Sequence, residues 1–250
     1  MSADSILHGE GAKDSPPRTS RSGGGGLYAW VGLAAAVIIF AGFARTFYLR
    51  SVSGAPPLSA LLLVHGIVMT AWVVLFFAQV RLIALGRMAL HRRLGAFGLI
   101  VAVLVLFVGV AATVDAGRRG VSPAMGVAPL TFMAIPLFDL PVFAVLVGVG
   151  LWKRRRPDIH KRLMLLATLG LLTPGIARIP LAIIQQGGPP VFFGLSFLLV
   201  AGCIAIDTIR SRRVHPAFMW GAALMVFMLP VRLLVSETAA WAQFARWLIA

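Results

Sequence analysis

Along most of this chain the apolar residues run on unbroken. They show neither the alternation of a half-buried strand nor the single stripe of a surface helix. Such runs occupy residues 27–49, 58–85, 94–114, 127–151, 162–184, 190–209 and 217–235. Each is near the roughly 20 residues a helix needs to cross a hydrocarbon layer of about 30 Å. Charges, Gly or Pro close them: Arg50 to Pro57, Gly86 to Arg93, Asp115 to Pro123, Lys153 to Lys161, Gln185 to Pro190, and Arg210 to Pro216. In lipid, only helices and closed barrels satisfy every backbone N–H and C=O, and barrel strands alternate. The pattern therefore predicts an all-α integral membrane bundle of about seven transmembrane helices. Residues 1–26 read as a disordered cytoplasmic tail and Gly linker, 27–238 as the seven-helix transmembrane domain, and 239–250 as a short outer interfacial helix. A signal peptide is the competing reading of the start, but its apolar part would begin only at Leu27, too late for the usual pattern.

Composition agrees: 59% of the 250 residues are hydrophobic and 12% charged, with a mean hydropathy of +0.92. A net charge of +15 would suggest nucleic acid in a soluble chain, but here the bases lie between hydrophobic runs. With seven spans, the tail and the loops after spans 2, 4 and 6 share one side and hold fifteen Lys and Arg, against five on the other. The positive-inside rule then puts the N-terminus in the cytoplasm and the C-terminus outside, in a bacterial inner (plasma) membrane. Acidic lipid headgroups are the expected partners of the basic loops, along with the bilayer itself, and nucleic acid is not. The single Cys203 lies inside an apolar run, which excludes a disulfide framework or a Cys-based zinc site. Span 7 carries no lysine, so a retinal Schiff base is excluded. No nucleotide fingerprint, nucleophile elbow or HExxH motif occurs.

A repeated motif is the most specific local signal. Arg87-Met-Ala-Leu-His91-Arg92-Arg93-Leu94 matches Arg156-Pro-Asp-Ile-His160-Lys161-Arg162-Leu163, 69 residues later, and Arg213-Val-His215-Pro216 is a weaker third copy. Each histidine starts an inward-to-outward helix at one membrane depth. Such residues can simply anchor a helix end and meet acidic headgroups. The sharper expectation is a haem b whose iron (the metal) sits between His91 and His160, with His215 as a substitute ligand. Arg87, Arg92 and Arg162 would then neutralise the propionates. The small residues of span 3 (Gly95, Ala96, Gly98, Ala102) would admit a close neighbour or a flat cofactor.

A second polar layer lies nearer the outer face. His65 sits in span 2 on a stripe with Met69, Trp72, Phe76 and Gln79. Asp139 falls mid-span between Pro136 and Pro141, and Arg178 follows Thr173-Pro174-Gly175. A charge at a helix centre costs about 2.5–3.5 kcal/mol on insertion scales, so an Asp139–Arg178 pair with His65 beside it is expected. That layer reads equally as a substrate site or a structural lock. Arg232 is expected to snorkel outward, and Asp207 to pair with Arg210 or a neighbouring loop arginine.

With these residues in view, the chain resembles a group of uncharacterised bacterial multi-pass membrane proteins. The likeness rests on Leu63-Val64-His65-Gly66, Thr70-Ala71-Trp72 and Gln79, then on Gly86-Arg87 with Leu90-His91-Arg92-Arg93-Leu94-Gly95. It continues in Arg156-Pro157, His160-Lys161-Arg162-Leu163-Met164, Arg178 and His215-Pro216. More distantly, histidines at helix ends are similar to those of membrane cytochromes b and haem A synthase-like proteins. Together these point to a haem-binding or respiratory-chain-associated protein, possession of an enzymatic activity being left open. The alternatives are a small transporter or permease using His65, Asp139 and Arg178, and a non-catalytic scaffold or assembly factor.

Overall fold

A computed structural model describes residues 25–122 and 127–250. Among them every regular element is helical: α1 (Gly25–Phe43), continued by a π-helical turn (Ala44–Tyr48), α2 (Arg50–Ser53), α3 (Ala60–Ala84), α4 (Met88–Arg118), α5 (Pro129–Trp152), α6 (Pro157–Gly170), α7 (Thr173–Arg178), α8 (Ala182–Ser211), α9 (Pro216–Ser236) and α10 (Ala239–Ile249). Six stretches of these are long and apolar enough to cross a membrane: Gly26–Tyr48, α3, α4, α5, α8 and α9. The chain is an all-α multi-pass membrane bundle. Nearly all of the polar tail, residues 1–24, lies outside the described residues, and helix already begins at Gly25, before the apolar run does.

The fifth apolar run departs from expectation, because it is broken into α6 and α7. Pro174 has no N–H to give to the carbonyl of Gly170, so the α-helical ladder cannot pass through it. The chain tightens instead, with Leu171 N–H donating to Thr168 O and Leu172 N–H to Leu169 O. Pro180 then forces Ile179 into extended backbone (φ −62°, ψ 128°) and ends α7. From Pro157 to Arg178 the broken run still reaches about 33 Å at 1.5 Å per residue. A second break falls within α8, where Gly188 (φ 58°, ψ −149°) precedes Pro189 and Pro190.

Helix ends follow from local chemistry. Prolines open α5, α6 and α9, where a missing N–H costs nothing. The Ser59 and Thr238 side chains accept from Leu62 and Trp241 N–H and so cap α3 and α10. At the end of α3, Gly86 takes φ 71°, and Arg87 N–H reaches back to Leu82 O at 2.8 Å. That left-handed closure satisfies carbonyls that would otherwise be orphaned, and it turns the chain directly into α4.

The hub of the bundle is α6, although it comes from the least apolar run. Leu163, Leu165, Leu166 and Thr168 are fully enclosed, with α5 and α9 as the main neighbours and α8, α3 and α1 beyond them. On the other flank α1 lies against α3 and α7, and α3 against α4. The α1–α7 contact is backbone on backbone, since a Cβ on Gly42 would overlap the carbonyl of Gly175. The α10 helix docks by Trp241, whose Nε1–H donates to Leu130 O at 2.8 Å, while Arg118 Nε–H donates to Ile249 O at 2.9 Å.

Gly42→Ala is expected to lower the thermal midpoint in detergent, at a cost of about 1–3 kcal/mol for overpacking. Gly148→Ala, whose Cβ would meet nothing within 4 Å, should leave the midpoint unchanged or slightly higher. Equal midpoints for the two variants would contradict the close α1–α7 contact.

Candidate functional site

The loops joining α3 to α4, α5 to α6 and α8 to α9 meet at one end of the bundle, and the repeated histidines come with them. At this basic end His160 Nδ1 bonds to Gly150 O at 2.8 Å. That contact leaves Nε2 as the nitrogen able to ligate, the arrangement found around metal-bound imidazoles. His91 lies within electrostatic reach of His160 and its ring bonds to the backbone of Gln79 on the adjacent α3, while among the described residues no side-chain or backbone partner satisfies its buried Nδ1 or Gln79 Oε1 within ordinary hydrogen-bond geometry.

The other expected haem contacts are engaged elsewhere. His215 uses both ring nitrogens: Nε2 meets Asp158 Oδ2 at 3.2 Å, and Nδ1 accepts from Ala217 N–H to cap α9. It is therefore not a spare ligand. Burial alone would push the Asp158 carboxyl up. The hydrogen bonds from His215 and from its own backbone, with Arg156 nearby, outweigh that and hold its carboxyl below the usual carboxylate range. Arg162 is not available to a propionate either. Its Nε and Nη2 donate to Asp207 Oδ2 at 2.9 and 2.6 Å, Nη1 donates to Asp158 O at 2.7 Å, and both side chains are buried. Asp207 thus pairs with Arg162 across α6 and α8 rather than with a loop arginine. Arg87 and Arg92 are exposed. The small residues of α4 meet a neighbour instead of a cofactor, for Gly95 faces Gln79 and Gly98 faces Leu75, both on α3. The donor chemistry of His91 and His160 suits an iron, but that face of α4 leaves no slot for a porphyrin. Among the described residues no three His, Cys, Asp or Glu side chains converge on a point.

The second polar layer divides into two. Asp139 does not pair with Arg178. Its Oδ1 accepts from Nη1 of Arg232 on α9, whose guanidinium also lies 4.6 Å from the Phe193 ring centre. Arg232 is only 5% accessible, so it does not snorkel, while Asp139 keeps 28%. The difference marks the side from which the pair is reached. There a cavity of about 40 Å³ is lined by Asp139, Arg232, Thr173, Ser196, Phe193 and the unwound Gly170–Leu171. That volume is enough for one or two waters. Thr173 Oγ1 donates to Ser196 Oγ at 3.0 Å, and Ser196 Oγ donates to Phe192 O. Pro141 in α5 leaves the carbonyl of Leu137, two residues before Asp139, without its ladder partner.

Between this cavity and the Arg162–Asp207 pair stands an apolar layer of Leu146, Leu163, Leu166 and Phe218, each at most 1% accessible. His65 is within electrostatic reach of Arg178, and its ring bonds to the backbone of Val108 on α4, so the expected Asp139–Arg178 pair with His65 beside it does not form. Among the described residues, His65 Nδ1 and Trp72 Nε1 join Gln79 Oε1 as buried, unpartnered atoms on one face of α3, seven residues apart.

The sequence carried some of these signals. Arg232 is as intramembrane as Arg178, and Pro230 two residues before it marks a disturbed helix. The Thr173–Ser196 link had no signal, since hydroxyls in apolar helices usually bond their own i−4 carbonyl.

Breaking the Asp139–Arg232 pair should cost about 3–5 kcal/mol, because a lone charge is left in the bundle. A carboxyl can shed its charge by taking up a proton, whereas a guanidinium cannot release one. Asp139→Leu is therefore expected to be more damaging than Arg232→Met in detergent thermal melts, and the double variant should recover most of the loss. Two independent, additive losses would contradict the pairing.

Comparison with known proteins returns no matching family model, and no match among curated proteins or solved structures.

Proposed function

We propose that this chain is a small membrane permease whose working centre is the Asp139–Arg232 pair. One observation carries the reading: a buried ion pair borders a water-sized cavity where a membrane-embedded helix loses its backbone ladder. Non-helical backbone at membrane depth is tolerated where it lines a cavity, and discontinuous helices often build transport sites near the midplane. The Thr173 and Ser196 hydroxyls supply a second polar wall. The Leu163–Leu166–Phe218 layer closes the route toward the basic end, so this conformation is one in which access comes from the far end. Against the expected His65, Asp139 and Arg178 site, the centre keeps Asp139, exchanges Arg178 for Arg232 and leaves His65 outside.

The single native thiol makes the test clean, because Cys203 is buried and removable. In a Cys203→Ala background reconstituted into liposomes, Thr173→Cys is expected to react with a small charged thiosulfonate added at the face away from the basic loops. Leu166→Cys, in the sealed layer, should stay unreactive. Equal inertness of the two positions, or reaction of Thr173→Cys only from the basic face, would end this reading.

A second reading, haem binding in a respiratory setting, has for it the electrostatic reach of His91 to His160 and the Nδ1 bond of His160 to Gly150 O, and against it the close packing of α4 on α3 beside His91. These two histidines would hold the iron, and exposed Arg87 and Arg92 would face the propionates. A bound haem would supply one-electron chemistry. Protein purified from haem-supplemented cells should then show a Soret band that shifts with dithionite and is lost in His91→Ala. A colourless preparation excludes this reading without touching the permease.

A further inference from the structure

A second hollow at membrane depth lies apart from the polar centre, on the flank formed by α1, α7 and α8. It measures about 310 Å³ and is lined by Ile38 of α1, by Ile176 and Ile179 at the end of α7, and by Ile184, Leu195 and Leu199 of α8. Leu198 completes the lining and is 68% accessible, so the hollow opens outward. Ile38, Leu195 and Leu199 belong to stretches able to cross a membrane. What the hollow opens onto is therefore hydrocarbon. Its origin is the break in the fifth apolar run. α7 is only six residues long, and the chain turns extended at Ile179 and Leu181 instead of continuing as helix. A groove is left beside that turn, where a straight helix would have filled the wall.

What fills the groove follows from chemistry and size. An ordered water needs about two to four polar partners, and every lining side chain is isoleucine or leucine. Left empty, the walls would forfeit their dispersion contacts on one side. An apolar cavity of roughly 150 Å³ holds a benzene, so about twice that volume takes a chain of roughly a dozen carbons. One turn of a neighbouring helix, about 10 Å across and 5.4 Å long, would need roughly 400 Å³. A helix of a second copy is thus too thick for the groove, whereas a flexible hydrocarbon chain fits it.

We propose that this groove binds one acyl chain of a membrane phospholipid. The same α7 and α8 line the polar centre through Thr173 and Ser196, so a seated acyl chain braces two walls of that centre from the lipid side. The site rests on the groove alone and stands whether or not the protein is a permease.

The test uses the full protein in detergent micelles with a trace of phosphatidylcholine carrying a diazirine midway along one acyl chain. After photolysis, mass spectrometry of its peptides reads where the label sits. The reference is residues 97–107 of α4, which present Phe97, Ile100 and Phe107 outward. Label over residues 176–184 and 195–199 is expected to be roughly five- to tenfold denser than over that reference. Leu199→Trp and Ile179→Trp, which fill the groove, should lower the groove label severalfold, and Phe107→Trp should not. Both groove positions are only partly buried, and if one variant fails to fold the other carries the comparison. If both fail, the wild-type ratio decides alone. Equal density over groove and reference means ordinary surrounding lipid and overturns the proposal, as does undiminished label in a folded groove-filling variant. Unlabelled groove peptides in a cross-linked dimer overturn it too, because a second copy then covers the groove.

Discussion

A charge inside hydrocarbon must find a partner, and in this bundle that requirement decides which helices meet. Asp139 ties α5 to α9, and Arg162 ties α6 to α8. Asp158 ties the start of α6 to the start of α9 through His215. Apolar packing alone would not select these neighbours, because lipid tails are as apolar as leucine and offer no preference between helices. The ionic pairs choose the partners, and close contacts such as Gly42 on Gly175 then set the separations. Buried pairs of this kind contribute little net stability compared with apolar replacements. Their contribution here is to arrangement.

The architecture was legible because the bilayer constrains sequence so strongly. Seven apolar runs separated by basic loops leave little freedom, and six of them appear as long membrane-compatible helices among the described residues. The remaining one, the fifth, is the informative departure. Pro174 signalled a break, but the resulting α6 is buried on all sides from Leu165 to Leu169. A helix enclosed by protein need not be apolar all round, so Arg162 and Thr168 could be accommodated in the run that reads least like a membrane segment.

Pairing was less legible than position. Asp139 and Arg178 are both intramembrane charges of opposite sign, and the sequence gives no order of helices around the bundle. α9 lies beside α5, which hands Asp139 to Arg232. Likewise, the repeat that aligns His91, His160 and His215 describes equivalent starts of three helices, not equivalent surroundings. One imidazole bonds a carbonyl, one is left with an unpartnered nitrogen, and one caps its own helix. Local sequence places a residue at a depth in the membrane, whereas its neighbours come from segments 45 to 93 residues away.

Those separations bear on how the chain enters the membrane during synthesis. Translation delivers Asp139 long before Arg232, and Arg162 well before Asp207. Until α8 and α9 emerge, the partly inserted chain carries charges with nothing to oppose them. α6, short and weakly apolar, then has little reason to leave the water-filled insertion channel alone. The hub of the finished bundle can pack on α5 as soon as it is made, but its buried guanidinium meets a carboxylate only once α8 has been added.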